Sequence, residues 1–127
     1  MGDAGFLMNQ DNKGIGIDII EIKRIEAAVN SFGDKFLRRI YTPGEIIYCN
    51  RRRKMGFPEL AARFAAKEAY AKALGTGMKG IRWKDIEIVN NQKGKPLLKI
   101  KGEIKDNCQL SLSHSQDYAI AMVTREG

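Results

Sequence analysis

One stretch limits the architecture more than any other. Pro58 to Leu74 reads as a single long α-helix: Pro58 suits the first turn, where its missing N–H is not needed, and alanines fill the interior. Gly75-Thr76-Gly77 follows, where a left-handed residue closes a helix without strain. At about 100° per residue, Glu59, Arg63 and Lys67 form one polar stripe, and Glu68 and Lys72 project onto a second patch about 100–180° away. Around that second patch stand Ala61, Phe64, Ala65 and Ala71, mostly small residues that let another backbone or a ligand come close.

The other elements arrange themselves around this helix. Gly14–Ile22 is an isoleucine-rich run with the pattern of a buried strand, interrupted by one acid, Asp18. Lys23–Ser31 reads as a short helix broken by Gly33, and residues 36–40 as a further helical turn ending near Thr42. Thr42-Pro43-Gly44-Glu45 offers an N-cap, a first-turn proline and an acid three positions after the cap, so another helix should run through Cys49 into the basic loop Arg51–Lys54. Trp83–Val89 and Pro96–Lys101 are strand-like and flank a turn over residues 90–95; Leu110–His114 and Tyr118–Thr124 form a second candidate pair. Helices early and strands late point to an α+β fold, a single domain with helices packed on an antiparallel sheet.

At 127 residues the chain suits one core without disulfides or a structural metal. Two cysteines without a CxxC pair, and one histidine, speak against a zinc site or a disulfide framework. Residues 1–13 read as a leader outside the domain spanning 14–127, and they lack the basic start and apolar run of a signal peptide. No apolar run reaches the ~18–20 residues needed to cross a bilayer, which fits a cytoplasmic protein with no membrane partner. The net charge of +7 attracts polyanions without choosing among nucleic acid, a phosphorylated cofactor and an acidic protein. A nucleic-acid module is disfavoured, because the strands lack the interleaved aromatic platform on which single strands stack.

Asp18 and Glu68 are the two oddities that carry chemistry. A carboxylate within an apolar strand needs a cation or several donors, which a helix cap, an arginine or a metal could supply. Glu68 and Lys72 could be a solvent-facing i,i+4 pair. If Asp18 and Glu68 converge, however, two carboxylates would bind Mg²⁺, which takes a few carboxylates plus waters and phosphate oxygens, and Lys72 would face the same phosphates. Such a set suits a diphosphate leaving group. Gly14-Ile15-Gly16 lies inside a strand and lacks the third glycine of a dinucleotide fingerprint, and Gly75–Gly80 lacks the Gly-Lys-Ser/Thr of a P-loop. His114, in Ser111-Leu112-Ser113-His114-Ser115, has no serine-hydrolase elbow around it; it is either a structural hydrogen-bonding residue or a phosphate contact.

Gly14-Ile15-Gly16-Ile17-Asp18-Ile19, the segment Arg63-Phe64-Ala65-Ala66-Lys67-Glu68-Ala69-Tyr70-Ala71-Lys72-Ala73-Leu74-Gly75-Thr76-Gly77, Gly94-Lys95-Pro96 and Ser111-Leu112-Ser113-His114 together resemble the bacterial holo-[acyl-carrier-protein] synthase family, the small phosphopantetheinyl transferases. The resemblance implies the phosphopantetheinyl transferase fold. It also implies transfer of the 4′-phosphopantetheine arm of coenzyme A to a serine of apo acyl carrier protein, in fatty acid biosynthesis. By position it implies that Asp18 and Glu68 hold Mg²⁺ and that Lys72 contacts the diphosphate, with Glu68 and Lys72 the catalytic pair. His114 would lie among the phosphate contacts, Asn91, Gly94 and Pro96 would help hold the adenine end, and the loop from Gly75 would line the cofactor groove. Family enzymes are homotrimers with active sites between subunits; Arg24, Lys35 and Arg39 match the residues that receive the acidic carrier, with Phe36 as the apolar contact. A water on the metal or Glu68 itself could take the serine proton. The chain departs from the family pattern in its leader, in Arg51-Arg52-Arg53 and in Ser115, and the alignment leaves open which of Arg51–Lys54 meets the 3′-phosphate. An inactive trimeric interaction protein that kept the fold would be expected to lose Asp18, Glu68 and Lys72, which are all present.

Overall fold

The computed structural model describes residues 13–127, so the expected leader, apart from Lys13, lies outside the described residues. Chain order runs β1 (Gly14–Glu21), α1 (Ile22–Phe32), α2 (Asp34–Ile40), α3 (Pro43–Cys49), α4 (Phe57–Leu74), a 3-10 turn (Trp83–Asp85), β2 (Ile86–Asn90), β3 (Pro96–Ile100), β4 (Glu103–Ile104), β5 (Cys108–His114) and β6 (Tyr118–Arg125). Two antiparallel three-stranded sheets result, ordered β1-β6-β5 and β2-β3-β4. The first strand thus pairs with the last, and α4 packs on the first sheet: Ala65, Ala66, Ala69 and Ala73 share one core with Leu110 and Val123 of that sheet and Ile86 and Leu98 of the second. A second core gathers Ile25, Leu37, Ile40 and Tyr41 of the short-helix layer against Leu60, Ala61 and Ala62 near the start of α4. Among the described residues no helix is long and apolar enough to cross a membrane.

Gly14 and Gly16 explain how closely β1 lies against α4. A Cβ at Gly14 would sit 1.9 Å from the Ala73 carbonyl oxygen, and one at Gly16 would sit 1.9 Å from that of Ala69. Both obstacles are backbone, so no side-chain rotation can relieve them. The alanines of α4 and the glycines of β1 are therefore one feature, a strand laid directly on a helix. Gly16→Ala should destabilise the protein by about 1–3 kcal/mol, the usual cost of overpacking. Urea unfolding reads this, and an unchanged midpoint would mean that the strand can move away freely.

The structure corrects several expectations. β1 is not buried on both faces: Ile15, Ile17 and Ile19 are 66%, 53% and 61% exposed, while Gly16 and Ile20 turn toward the core. Its sheet carries a helix on one face only, so the strand's residues alternate between helix and outside. Trp83–Asp85 is a 3-10 turn in place of a strand start, held by the Asp85 carboxylate accepting from the Arg82 N–H at 2.9 Å. The two-residue β4 was not anticipated.

The Glu59/Arg63/Lys67 stripe is largely internal. Lys67 is fully buried; its Nζ donates to Glu45 Oε1 and the Ile40 carbonyl, both at 2.7 Å, and to the Trp83 carbonyl at 3.1 Å. Glu45 completes the expected capping box with Thr42, and its Oε2 also accepts from the Ile88 N–H at 3.0 Å. Burial lowers the Lys67 pKa, with Glu45 opposing the shift. Arg63 donates to Asn90 Oδ1 at 2.7 Å and lies 4.3 Å from the centre of the Tyr48 ring.

Candidate active site

The close contact of β1 and α4 determines what Asp18 can meet. Phe64, Glu68 and Lys72 recur every four residues and so share one face of α4. Asp18, two residues beyond Gly16, projects toward that face. Lys72 Nζ donates to Asp18 Oδ1 at 3.1 Å and to the Ile17 carbonyl at 2.9 Å. Asp18 and Glu68 line one cleft of about 310 Å³, closed in by Arg24 and Ile25 of α1, Phe36 of α2 and Phe64. Burial, and after it the Asp18 charge, raise the Glu68 pKa, while Lys72 pulls it down. The Asp18 share of that shift means the two carboxylates stand within electrostatic reach of one another.

Two carboxylates on a half-open cleft suit a hard cation that keeps part of its water shell. Among the described residues no group of three or more His, Cys, Asp and Glu side chains comes together, so an all-protein cage of the kind zinc or calcium favours is not built. Mg²⁺, which takes one or two carboxylates and completes its shell with waters and phosphate oxygens, fits this donor set.

The carrier-protein candidates stand beside the cleft. Arg24 lines the cleft itself, and Lys35, Phe36 and Arg39 line an adjoining groove of about 330 Å³, so Phe36 belongs to both. Sequence reasoning missed Phe32, which also lines that groove and is 66% exposed. It also missed the stack of Trp83 on Phe64, with centroids 5.1 Å apart and planes at 22°. The four-residue step from Phe64 to Glu68 was the available signal for Phe64; Trp83 arrives from a remote turn and gave none.

The remaining candidates do not join this cleft within one chain. Gly75 caps α4 in the left-handed region at φ 80°, its N–H donating to the Lys72 carbonyl at 3.1 Å. Asn91 and Gly94 shape the β2–β3 turn, where Asn91 Oδ1 accepts from the N–H groups of Lys93 and Lys95, both at 2.9 Å, and Pro96 opens β3. His114 ends β5, exposed, with Nδ1 3.4 Å from the Ser115 carbonyl oxygen. The basic loop lines a separate pocket of about 480 Å³ with Arg51, Arg52 and Lys54; Glu59 pairs there with Arg51 at 3.5 Å and Arg52 at 3.7 Å.

The sequence model of the 4′-phosphopantetheinyl transferase superfamily matches residues 14–123. A holo-[acyl-carrier-protein] synthase of Halothermothrix orenii is 46% identical over 122 residues, covering 90% of this chain and 97% of that protein. Among solved structures, a holo-(acyl-carrier-protein) synthase from Bacillus anthracis in complex with CoA (3′,5′-ADP) is 43% identical, with a TM-score of 0.75 and 90% and 96% of the two chains covered. The Helicobacter pylori holo-[acyl-carrier-protein] synthase in complex with coenzyme A is 39% identical, with a TM-score of 0.75 and coverage of 86% and 96%.

Proposed function

We infer the working of this site from one premise: the chain belongs to the 4′-phosphopantetheinyl transferase superfamily and, within it, to the holo-[acyl-carrier-protein] synthases. It transfers the 4′-phosphopantetheine group of coenzyme A to a serine of apo acyl carrier protein and leaves adenosine 3′,5′-bisphosphate. The observation that carries the site assignment is that Asp18 and Glu68, from segments remote in the chain, line one cleft, with Lys72 bonded to Asp18.

In this reading Asp18 and Glu68 hold Mg²⁺, which when bound neutralises charge on the diphosphate oxygens. Lys72 contacts the same diphosphate and stabilises the charge that develops on the departing phosphate. The carrier serine Oγ forms a bond to the phosphorus next to pantetheine, and the bond from that phosphorus to the bridging oxygen breaks. The serine proton passes to Glu68, whose carboxylate lines the cleft that the hydroxyl enters. Phe64, backed by Trp83, gives the cleft an apolar wall that keeps bulk water from the hydroxyl's place.

The acidic carrier protein fits the groove of Lys35, Phe36 and Arg39, and Arg24 leads from it into the cleft. Gly75, Asn91, Gly94, Pro96 and His114 serve the nucleotide from a neighbouring subunit. The exposed row of Ile15, Ile17 and Ile19 supports that assembly, because Met122 pairs with Ile17 on β6, is exposed itself, and extends the apolar face. The assembly we propose is a homotrimer, as the family resemblance implies. Two free thiols, Cys49 and Cys108, suit the reducing cytoplasm.

One preparation tests the whole reading. Incubated with apo carrier protein, coenzyme A and Mg²⁺, it should add the phosphopantetheine mass to the carrier serine, and omitting Mg²⁺ should stop the reaction. No mass shift with several carriers would overturn the activity, and a monomer in sedimentation equilibrium would remove the shared site.

A further inference from the structure

Lys72 has two tasks that compete for its charge. Its ammonium is bonded to Asp18 Oδ1 at 3.1 Å and to the Ile17 carbonyl at 2.9 Å, so it neutralises a carboxylate whose charge a divalent cation would also use. The same ammonium is the group assigned above to the diphosphate. The two partners differ in freedom: the Asp18 side chain, on a strand laid against α4, is 18% exposed, whereas that of Lys72 is 53% exposed at the end of a flexible four-carbon stem. Asp18 therefore stays in place while Lys72 can leave it.

We propose that Lys72 is a built-in counter-ion that holds Asp18 until a diphosphate draws it away, so that the divalent cation and the diphosphate bind cooperatively. This rests on the carboxylate-pair reading above. A cation arriving alone meets a like charge already bonded to one of its two protein ligands. A diphosphate supplies several anionic acceptors for the ammonium, and its own oxygens complete the cation's shell. The coupling is reciprocal, so the cation tightens coenzyme A by the factor by which coenzyme A tightens the cation. The enzyme then takes up cation and coenzyme A together, and a bare cation occupies the carboxylates only weakly.

Mn²⁺ is the probe, its free concentration followed by electron paramagnetic resonance on the full chain without carrier protein, so that nothing turns over. Wild type should bind Mn²⁺ weakly alone and much more tightly with coenzyme A. Lys72→Met should bind Mn²⁺ alone roughly tenfold more tightly than wild type, the scale of one partly screened neighbouring charge acting on a divalent ion. Its enhancement by coenzyme A should shrink by several-fold. Lys72→Gln should do the same, which separates loss of charge from loss of packing. Mn²⁺ binding to Lys72→Met and Lys72→Gln no tighter than to wild type overturns the proposal. Asp18→Asn serves as the control: if it binds Mn²⁺ as wild type does, the carboxylate pair itself falls, and the counter-ion role falls with it.

Discussion

Glu68→Gln should transfer phosphopantetheine roughly a thousandfold more slowly than wild type, the scale of losing one preorganised charge at a site where charge develops. It should nevertheless melt no lower at neutral pH. The two effects diverge because Glu68 is costly to the fold: burial and the neighbouring Asp18 raise its pKa, so its ionised form is less favourable folded than unfolded. The cost is full above the raised folded-state pKa and is gone below the ordinary glutamate pKa of about 4.3, where the group is neutral in both states. Any gain in melting temperature from Glu68→Gln should therefore fade as pH falls through the raised folded-state pKa toward the ordinary one. Asp18→Asn should lose transfer to the same degree but shift stability the other way, by under about 1 kcal/mol, since it removes a partly exposed partner of Lys72. Transfer rates within about tenfold of wild type in Glu68→Gln would take Glu68 out of the site, because a carboxylate that binds the cation and takes the serine proton cannot be lost so cheaply.

What the sequence revealed and what it hid divide along the range of the interactions. Thr42, Pro43 and Glu45 announced the start of α3, and Gly75 the end of α4, because caps are settled within four residues. Asp18, Glu68 and Lys72 were legible through misfit: a lone acid in an apolar strand asks for a partner, and the small residues around Glu68 left room for one. The fate of Arg63 and Lys67 was not legible. Lys67 finds its acceptors on α2, on α3 and before β2, and nothing near it in the sequence reports them. Glu45 was misleading in its completeness, since the capping box uses Oε1 alone and leaves Oε2 free for Ile88. The exposure of Ile15, Ile17 and Ile19 was hidden for another reason. An apolar run looks the same whether both of its faces are covered or only one. Gly14-Ile15-Gly16, set aside as a nucleotide fingerprint, turned out to matter for packing, and so for where Asp18 stands.

Lys67→Met should destabilise the protein by about 3–5 kcal/mol, the cost of stranding a buried charge, which is a large part of the ~5–15 kcal/mol that a domain of this size commands. Replacing both members of a buried ion pair by apolar residues often restores stability, because neither charge then needs to be desolvated. That rescue should fail here. Lys67 also serves the Ile40 and Trp83 carbonyls, and Glu45 also serves the Ile88 and Thr42 N–H groups. Lys67→Met with Glu45→Met therefore trades one stranded charge for several unpaired backbone groups. Each fully buried one costs roughly 1–3 kcal/mol, so the double variant should unfold in urea no later than the single one. A double variant as stable as wild type would mean that water or a small shift satisfies those groups. In that case the pair would be an ordinary buried salt bridge, and α2, α3 and the turn at Trp83 would not depend on it for their seat against α4.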